Sequence, residues 1–475
     1  MTSSMTANAI AMLAARLLPP FFSFALNVVV ARLSGAETLG AYVNLLAVML
    51  IFQAVAGAGV QFLVSREIAA FPDRAPEVVR AARTFGWLSG TAATVLFVLY
   101  GWMVLPERLL PALALAATIL PSAWVALQEA IFIGTRAHHW IALVALVENG
   151  VKTGLALAAL AAGYGLVGVS VAIAVARLAG LATGGLVLRR RGFAGTWAFE
   201  IAQVGPFVRQ VTPFALLFIL SMAYFRIDIP ILHALAGERS TGFYGVAATL
   251  YGALLLLPES ALAAAYPRLA RAYQASREGY GHATAVLTKA LCLALVSVSI
   301  VLICLAEPLV TLLYGPQYAP AAGVLRLLAL ALPLHAVNGA LGQALQAGSQ
   351  QRAMLAIIAV ALLVHAVLNV VLVRALGIDG APIAMLGSSL CVAAGALHVL
   401  RTRVARFEWS AGLVPQVLAG VGPLFLVSVF SEHRLAAGLV ALGWLVIGSF
   451  WSGTLTSADL AGMRAALNPE AGAAA

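Results

Sequence analysis

Arg226 and Asp228 stand two residues apart inside an otherwise apolar run, residues 214–235, in a chain of which only 10% is charged. That run is long enough to cross a bilayer, for which roughly 20 residues suffice. A charge near the bilayer centre costs at least about 2.5–3.5 kcal/mol on insertion scales, so it is kept only where a partner or an aqueous cavity receives it. The chemistry open to such residues is recognition of a polar cargo, or capture and release of an ion, within the membrane. On a continuous helix the two side chains point about 200° apart, so one cavity cannot receive both squarely. Arg226 is the candidate for the cavity, and Asp228 for an interhelical anchor or an ion-coupling site.

Other polar residues interrupt apolar segments in the same way. Arg16, Pro20, Ser23 and Asn27 fall within about 60° of one another on a helical wheel and form one polar stripe. Either the stripe lines a cavity in which Arg16 meets an anionic ligand, or Arg16 snorkels to headgroups at the cytoplasmic end. Glu148 and Lys152 have the i,i+4 spacing that favours an ion pair within one helix. The alternative releases Lys152 to a substrate phosphate, with Glu148 as its resting partner. Arg177, near the middle of its segment, has no charged neighbour there and needs a partner from another helix, or water. Tyr244, Tyr251 and Glu259 lie within about 80° of one another, a face suited to sugar contact through rings and hydroxyls. Glu259, beside Pro258, reads also as a cap at a kink or as a coupling group. His335, and His365 with Asn369, read as interhelical hydrogen-bonders ahead of proton carriers.

The elements that must hold these residues are helices in a bilayer. Of 475 residues, 62% are hydrophobic, with mean hydropathy +0.99, whereas soluble domains are about 45–50% apolar. Fourteen apolar segments can be marked, at approximately 8–32, 40–64, 82–105, 111–133, 139–162, 165–188, 211–235, 242–266, 284–305, 321–346, 353–374, 379–400, 411–430 and 434–453. Their length and continuity fit helices, since a barrel strand needs only about 9–11 alternating residues. The expected fold class is all-α, a polytopic membrane protein. No cleavable signal peptide is evident, and the first segment is expected to be a retained span.

The distribution of Lys and Arg sets the expected topology. With the N-terminus in the cytoplasm, 18 of the 28 cations fall on the cytoplasmic side, 5 on the other side and 5 within segments. Both termini are then cytoplasmic. The formal charge of +10 is spread over short loops, with no basic domain that would point to nucleic acid. The three cysteines, Cys292, Cys304 and Cys391, lie in apolar runs and suggest neither disulfides nor a metal site. No Walker A loop, metal-spaced His/Cys cluster or nucleophile elbow is present. No catalytic residue, metal or cofactor is therefore expected, and the chain is not expected to be an enzyme.

The chain also repeats itself. Leu33-Ser-Gly35-Ala-Glu-Thr-Leu-Gly40-Ala-Tyr42 returns 202 residues later as Leu235-Ala-Gly237-Glu-Arg-Ser-Thr-Gly242-Phe-Tyr244. Pro121 maps to Pro333 and Gly165-Leu-Val-Gly168 to Gly377-Ile-Asp-Gly380, both at an offset of 212, while Gly134 maps to Gly348 with a slip of two. Six helices per unit make these parallel repeats. The expected domains are lobes at 1–200 and 201–405, followed by two further helices and a tail at 406–475.

Several of these residues together resemble one family. Pro213-Phe214, Tyr224-Phe-Arg226-Ile-Asp228-Ile-Pro-Ile-Leu232, Gly242-Phe-Tyr244, Pro258 and Tyr266-Pro267-Arg-Leu269 resemble the seventh and eighth helices of polysaccharide flippases. These are the O-antigen and exopolysaccharide transporters of the multidrug/oligosaccharidyl-lipid/polysaccharide exporter superfamily. Ala31-Arg32-Leu33-Ser-Gly35 with Gly40-Ala-Tyr42, and Leu313-Tyr-Gly315-Pro-Gln-Tyr318 with Leu325-Arg-Leu-Leu328, are similar to the same family. So is Asn369 followed by Gly377-Ile-Asp-Gly380-Ala. The resemblance covers roughly residues 10–400 and implies a V of two six-helix lobes working by alternating access. It implies transport of a polyprenyl-pyrophosphate-linked oligosaccharide across the bacterial inner membrane. Membrane lipid surrounds the chain, and polysaccharide polymerase and chain-length machinery are candidate partners.

The candidate substrate-binding set is Arg16, Asn27, Lys152, Arg177, Arg226, Tyr244 and Tyr251; Glu148, Asp228 and Glu259 are candidates for ion coupling or charge pairing. The cations suit a pyrophosphate, because phosphate–Arg hydrogen bonds are charge-assisted. Two other functions are alternatives: a cation-coupled multidrug exporter, in which acidic cavity residues should dominate, and a membrane glycan polymerase or glycosyltransferase. The latter should show a large extramembrane loop or a carboxylate cluster.

Overall fold

The computed structural model describes residues 2–192, 201–404, 438–443 and 445, with the side chains of 2–17, 201–203 and 257 outside the described set. Every regular element among these residues is helical. The first seven helices are α1 (Thr2–Ala56), α2 (Val60–Ala70), α3 (Ala75–Val104), α4 (Leu109–Ala116), α5 (Ile119–Gly134), α6 (His138–Ala161) and α7 (Gly165–Arg190). Then come α8 (Ile201–Tyr224), α9 (Asp228–Ala275), α10 (Arg277–Tyr314), α11 (Ala321–Ala329), α12 (Leu332–Ala347), α13 (Gln351–Leu376) and α14 (Gly380–Val399). Helix is the form that satisfies each backbone polar group within its own segment, which lipid demands.

Among the described residues, eight helical stretches are long and apolar enough to cross a membrane, or nine if the bent pair α11–α12 is one span. Three of the stretches, Leu18–Ala70, Val204–Ala275 and Gln351–Val404, run to 53, 72 and 54 residues. Each is more than twice the roughly 20 residues a crossing needs, and each overlaps two of the apolar segments. The segments at 411–430 and 434–453 lie outside the described residues, apart from a short helical piece at 438–443.

The repeat is written into the backbone. Helix α1 bends at Gly35 (φ 79°, ψ 175°) and α9 bends at Gly237 (φ 80°, ψ 176°). That region of backbone space is open essentially to glycine alone. Around these bends the two repeats meet reciprocally: a Cβ on Gly40 would overlap the Glu238 carbonyl oxygen, and a Cβ on Gly242 would overlap that of Ala36. Arg108 closes the same seam from the side, donating from Nε to Glu238 Oε1 at 2.9 Å and from Nη2 to Oε2 at 2.7 Å. Gly165 and Gly377 share positive φ values of 53° and 63°. The intervening turns pair Arg136 (φ 55°) with Ser349 (φ 58°). They also share one hydrogen-bond pattern, Ala137 N to Phe132 O and Gln350 N to Leu345 O. Gly348 therefore takes the place of Thr135, not of Gly134, because the left-handed residue defines the turn and glycine need not.

The chain forms two compact units, residues 1–253 with 365–381, and residues 254–364 with 382–475. In the first, Val64, Ala130 and Val211 anchor an apolar core with less than 2% exposure each. In the second, Val296, Ile300, Val324 and Leu325 are fully buried, and the Tyr280 hydroxyl donates to the Ala344 carbonyl.

Candidate functional site

Two polar clusters interrupt the apolar interior of the first unit. One is built on α1, α2, α5, α6 and α7. Lys152 Nζ donates to Asn149 Oδ1 at 2.8 Å, one turn back on α6, and to Ser23 Oγ of α1 at 3.0 Å. Both acceptors are neutral. Glu148, which the spacing offers to Lys152, instead meets Arg177 Nη2 of α7 at 3.3 Å through Oε1. Room for this carboxylate comes from Gly180, where a Cβ would sit 2.7 Å from Glu148 Oε2. Glu129 of α5 lies within electrostatic reach of both Arg177 and Glu148. Glu129 Oε2 accepts from Gln61 Nε2 of α2 at 3.2 Å.

Sequence reasoning missed Gln61 and Glu129. Their signal is that of polar side chains within the apolar segments 40–64 and 111–133. Asn27 is buried in α1 four residues beyond Ser23. Arg16 lies on α1 two turns before Ser23, and its side chain is outside the described residues.

The second cluster surrounds the opening pair of charges. The run 214–235 is not one helix: α8 ends at Tyr224 and α9 begins at Asp228, with a turn at 225–227 held by Ile227 N to Ala223 O and Ile229 N to Arg226 O. The angle between Arg226 and Asp228 is therefore not set by an unbroken helix. Arg226 is half-buried and feels the attraction of the Asp228 carboxylate. Asp228 itself is buried and accepts a hydrogen bond from the Tyr244 hydroxyl. Behind them, the ring of Tyr224 packs on His365 of α13 at 5.3 Å, and the Asn369 amide donates to the His365 carbonyl at 2.9 Å. Three buried atoms, Asp228 Oδ1, Tyr251 Oη and Asn369 Oδ1, have no hydrogen-bond partner among the described residues. Glu259, exposed on α9, and His335, half-buried on α12, lie in the second unit.

Tyr244→Phe is expected to lower stability by about 1–3 kcal/mol, because it strips the hydroxyl donor from a buried carboxylate. Adding Asp228→Asn should restore much of the loss. Thermal unfolding of the purified protein in detergent reads both; equal melting of Tyr244→Phe and wild type would show that the bond contributes nothing.

Long apolar helices broken at glycines and at charged turns, with polar clusters held inside, define a class of polytopic transporter fold. The lipid II flippase MurJ in an inward closed conformation aligns with TM-score 0.73 at 14% identity, covering 94% of this chain and 98% of that one. An inward-facing multidrug resistance MATE family transporter of the MOP superfamily aligns with TM-score 0.66 at 16% identity, over 82% of this chain and 97% of the other. The eukaryotic MATE transporter AtDTX14 gives 0.56 at 14% identity, over 94% and 98%. The fold is thus the MurJ/MATE fold. The family model described as "Polysaccharide biosynthesis protein" matches residues 5–273, and the MatE model matches residues 213–371. The first covers more than half of the chain, which belongs to the polysaccharide biosynthesis protein family. A search of the curated proteins found no match.

Proposed function

We propose that this protein moves polyprenyl-pyrophosphate-linked oligosaccharide units across the bacterial cytoplasmic membrane by alternating access, for surface polysaccharide assembly. In this reading both termini are cytoplasmic, and residues 1–200 and 201–405 act as the two moving lobes. The observation that carries it is Lys152, a cation inside the helical bundle whose hydrogen bonds go to Ser23 and Asn149, both neutral. Glu148 is engaged by Arg177, so no contacting carboxylate competes with a phosphate for Lys152. A pyrophosphate carries charge that hydrocarbon excludes, and charge-assisted hydrogen bonds from Lys152, Arg16 and Arg226 offset its desolvation. Asp228, with one buried carboxylate oxygen lacking a partner among the described residues, is the candidate for ion coupling.

The test is complementation of a deletion strain. Arg16→Ala, Lys152→Ala and Arg226→Ala are each expected to be expressed but to lose surface glycan, with lipid-linked repeat units accumulating; Lys152→Arg should restore export. Undiminished export in all three alanine variants would sink the cationic mechanism. The MatE match at residues 213–371 favours a second reading, a cation-coupled drug exporter. That reading calls instead for intact glycan and raised drug sensitivity in the deletion strain.

A further inference from the structure

The first unit contains a cavity of about 190 Å³ beside Arg177, in which the pyrophosphate groups of the proposed mechanism have no part. Its polar lining comes from Gln53, Gln61, Ser122, Glu129 and Arg177, and Phe62 and Phe218 supply an apolar wall. We propose that this cavity is a subsite for one uncharged sugar ring of the transported glycan, an inference that rests on the transport function proposed above.

Four observations point to that chemistry. The first is charge balance. The lining carries one carboxylate, Glu129, and one guanidinium, Arg177, within electrostatic reach of each other. A site so balanced has no net charge with which to draw a free anion or an organic cation. The second is the mixture of donors and acceptors. Carboxylate and amide oxygens accept, as does the Ser122 hydroxyl oxygen, whose proton goes to the Thr118 carbonyl, while the guanidinium and amide N–H groups donate. A sugar hydroxyl does both at once, and so matches a lining of both kinds.

The third observation is the aromatic wall. The rings of Phe62 and Phe218 meet edge-to-face at 6.3 Å, and leave apolar surface for the C–H face of a sugar ring. The fourth is the way the cavity is opened. Between α1 and α2 the helix breaks at residues 57–59, where Gly57 and Gly59 contribute to the lining. Broken helices are the usual makers of substrate sites in transporters. The Gln61–Glu129 bond, at 3.2 Å, is at the long end of the normal range and can be exchanged for a bond to a hydroxyl.

The experiment uses the purified full chain in detergent with two kinds of probe. Methyl glycosides of glucose, galactose, mannose and N-acetylglucosamine are assayed by saturation-transfer NMR, and polyprenyl diphosphate without sugar by native mass spectrometry. Wild type is compared with Glu129→Gln, which keeps the volume, and with Ala126→Leu, which fills the cavity and keeps the charges. At least one glycoside is expected to bind wild type and to bind each variant roughly tenfold more weakly. Diphosphate binding should be the same in all three proteins. Binding of diphosphate but of no glycoside overturns the subsite and leaves the transport function standing. Equal glycoside binding by all three proteins overturns it as well, by placing the sugar elsewhere. Absence of diphosphate binding in wild type removes the transport function, and the subsite with it.

Discussion

Gly40→Ala and Gly242→Ala are each expected to destabilise the purified protein by about 1–3 kcal/mol, the usual range for overpacking a tight contact. The two should behave alike, because they occupy equivalent places in the repeat. A Cβ on either would overlap a backbone carbonyl oxygen of the other repeat, Glu238 for Gly40 and Ala36 for Gly242. A side chain in the way could swing aside; a carbonyl in a helical turn cannot move without its neighbours. The bends at Gly35 and Gly237 fix where those carbonyls point, so the strain has no cheap outlet. Gly252→Ala is the control, since a Cβ there meets nothing within 4 Å and alanine favours a helix by roughly 0.5–1 kcal/mol over glycine. Thermal unfolding in detergent should therefore order the variants as Gly252→Ala, wild type, then the seam pair. Melting of Gly40→Ala level with Gly252→Ala would remove the seam from the account.

The second large effect is expected at Arg177. Arg177→Ala leaves the Glu148 carboxylate, with a side chain 18% exposed, without its contacting cation. Removing one partner of a buried ion pair costs about 3–5 kcal/mol; partial exposure of both groups places the expected loss near the lower bound, about 3 kcal/mol. Glu148→Gln should cost less, because Glu129 still faces the freed guanidinium. The double variant Arg177→Gln with Glu148→Gln should recover more than half of the Arg177→Ala loss, since no uncompensated charge remains at that contact. A double-mutant cycle on the two residues should give a coupling above roughly 1 kcal/mol. Strict additivity would mean that the 3.3 Å contact has no energetic role.

These expectations differ in how far the chain alone could have supported them. The seam was visible as a motif: Leu33 to Tyr42 and Leu235 to Tyr244 match with glycines in register. Its reciprocal contact was not visible, because two matching loops need not touch. The turn equivalence shows the same limit on a smaller scale. Glycine identity aligned Gly134 with Gly348, whereas the backbone aligns Arg136 with Ser349. A left-handed residue at a turn is a conformational requirement that glycine meets most easily and other residues can also meet.

The amino-acid sequence by itself determined that the chain is helical and membrane-spanning, where its apolar segments run, and that glycine motifs recur. Hydropathy and helical periodicity are local properties, and lipid leaves a polar backbone few alternatives. The tertiary structure decided which charges meet. An i,i+4 pair contributes only about 0.2–0.5 kcal/mol, so Glu148 on α6 turns to Arg177 on α7 wherever that guanidinium is delivered to it. Delivery depends on the depth and rotation of the neighbouring helix, which no spacing along one segment records. The same holds for Gln53, Gln61 and Glu129, drawn from three helices to one cavity, and for the turn at 225–227 that holds Arg226 just ahead of Asp228.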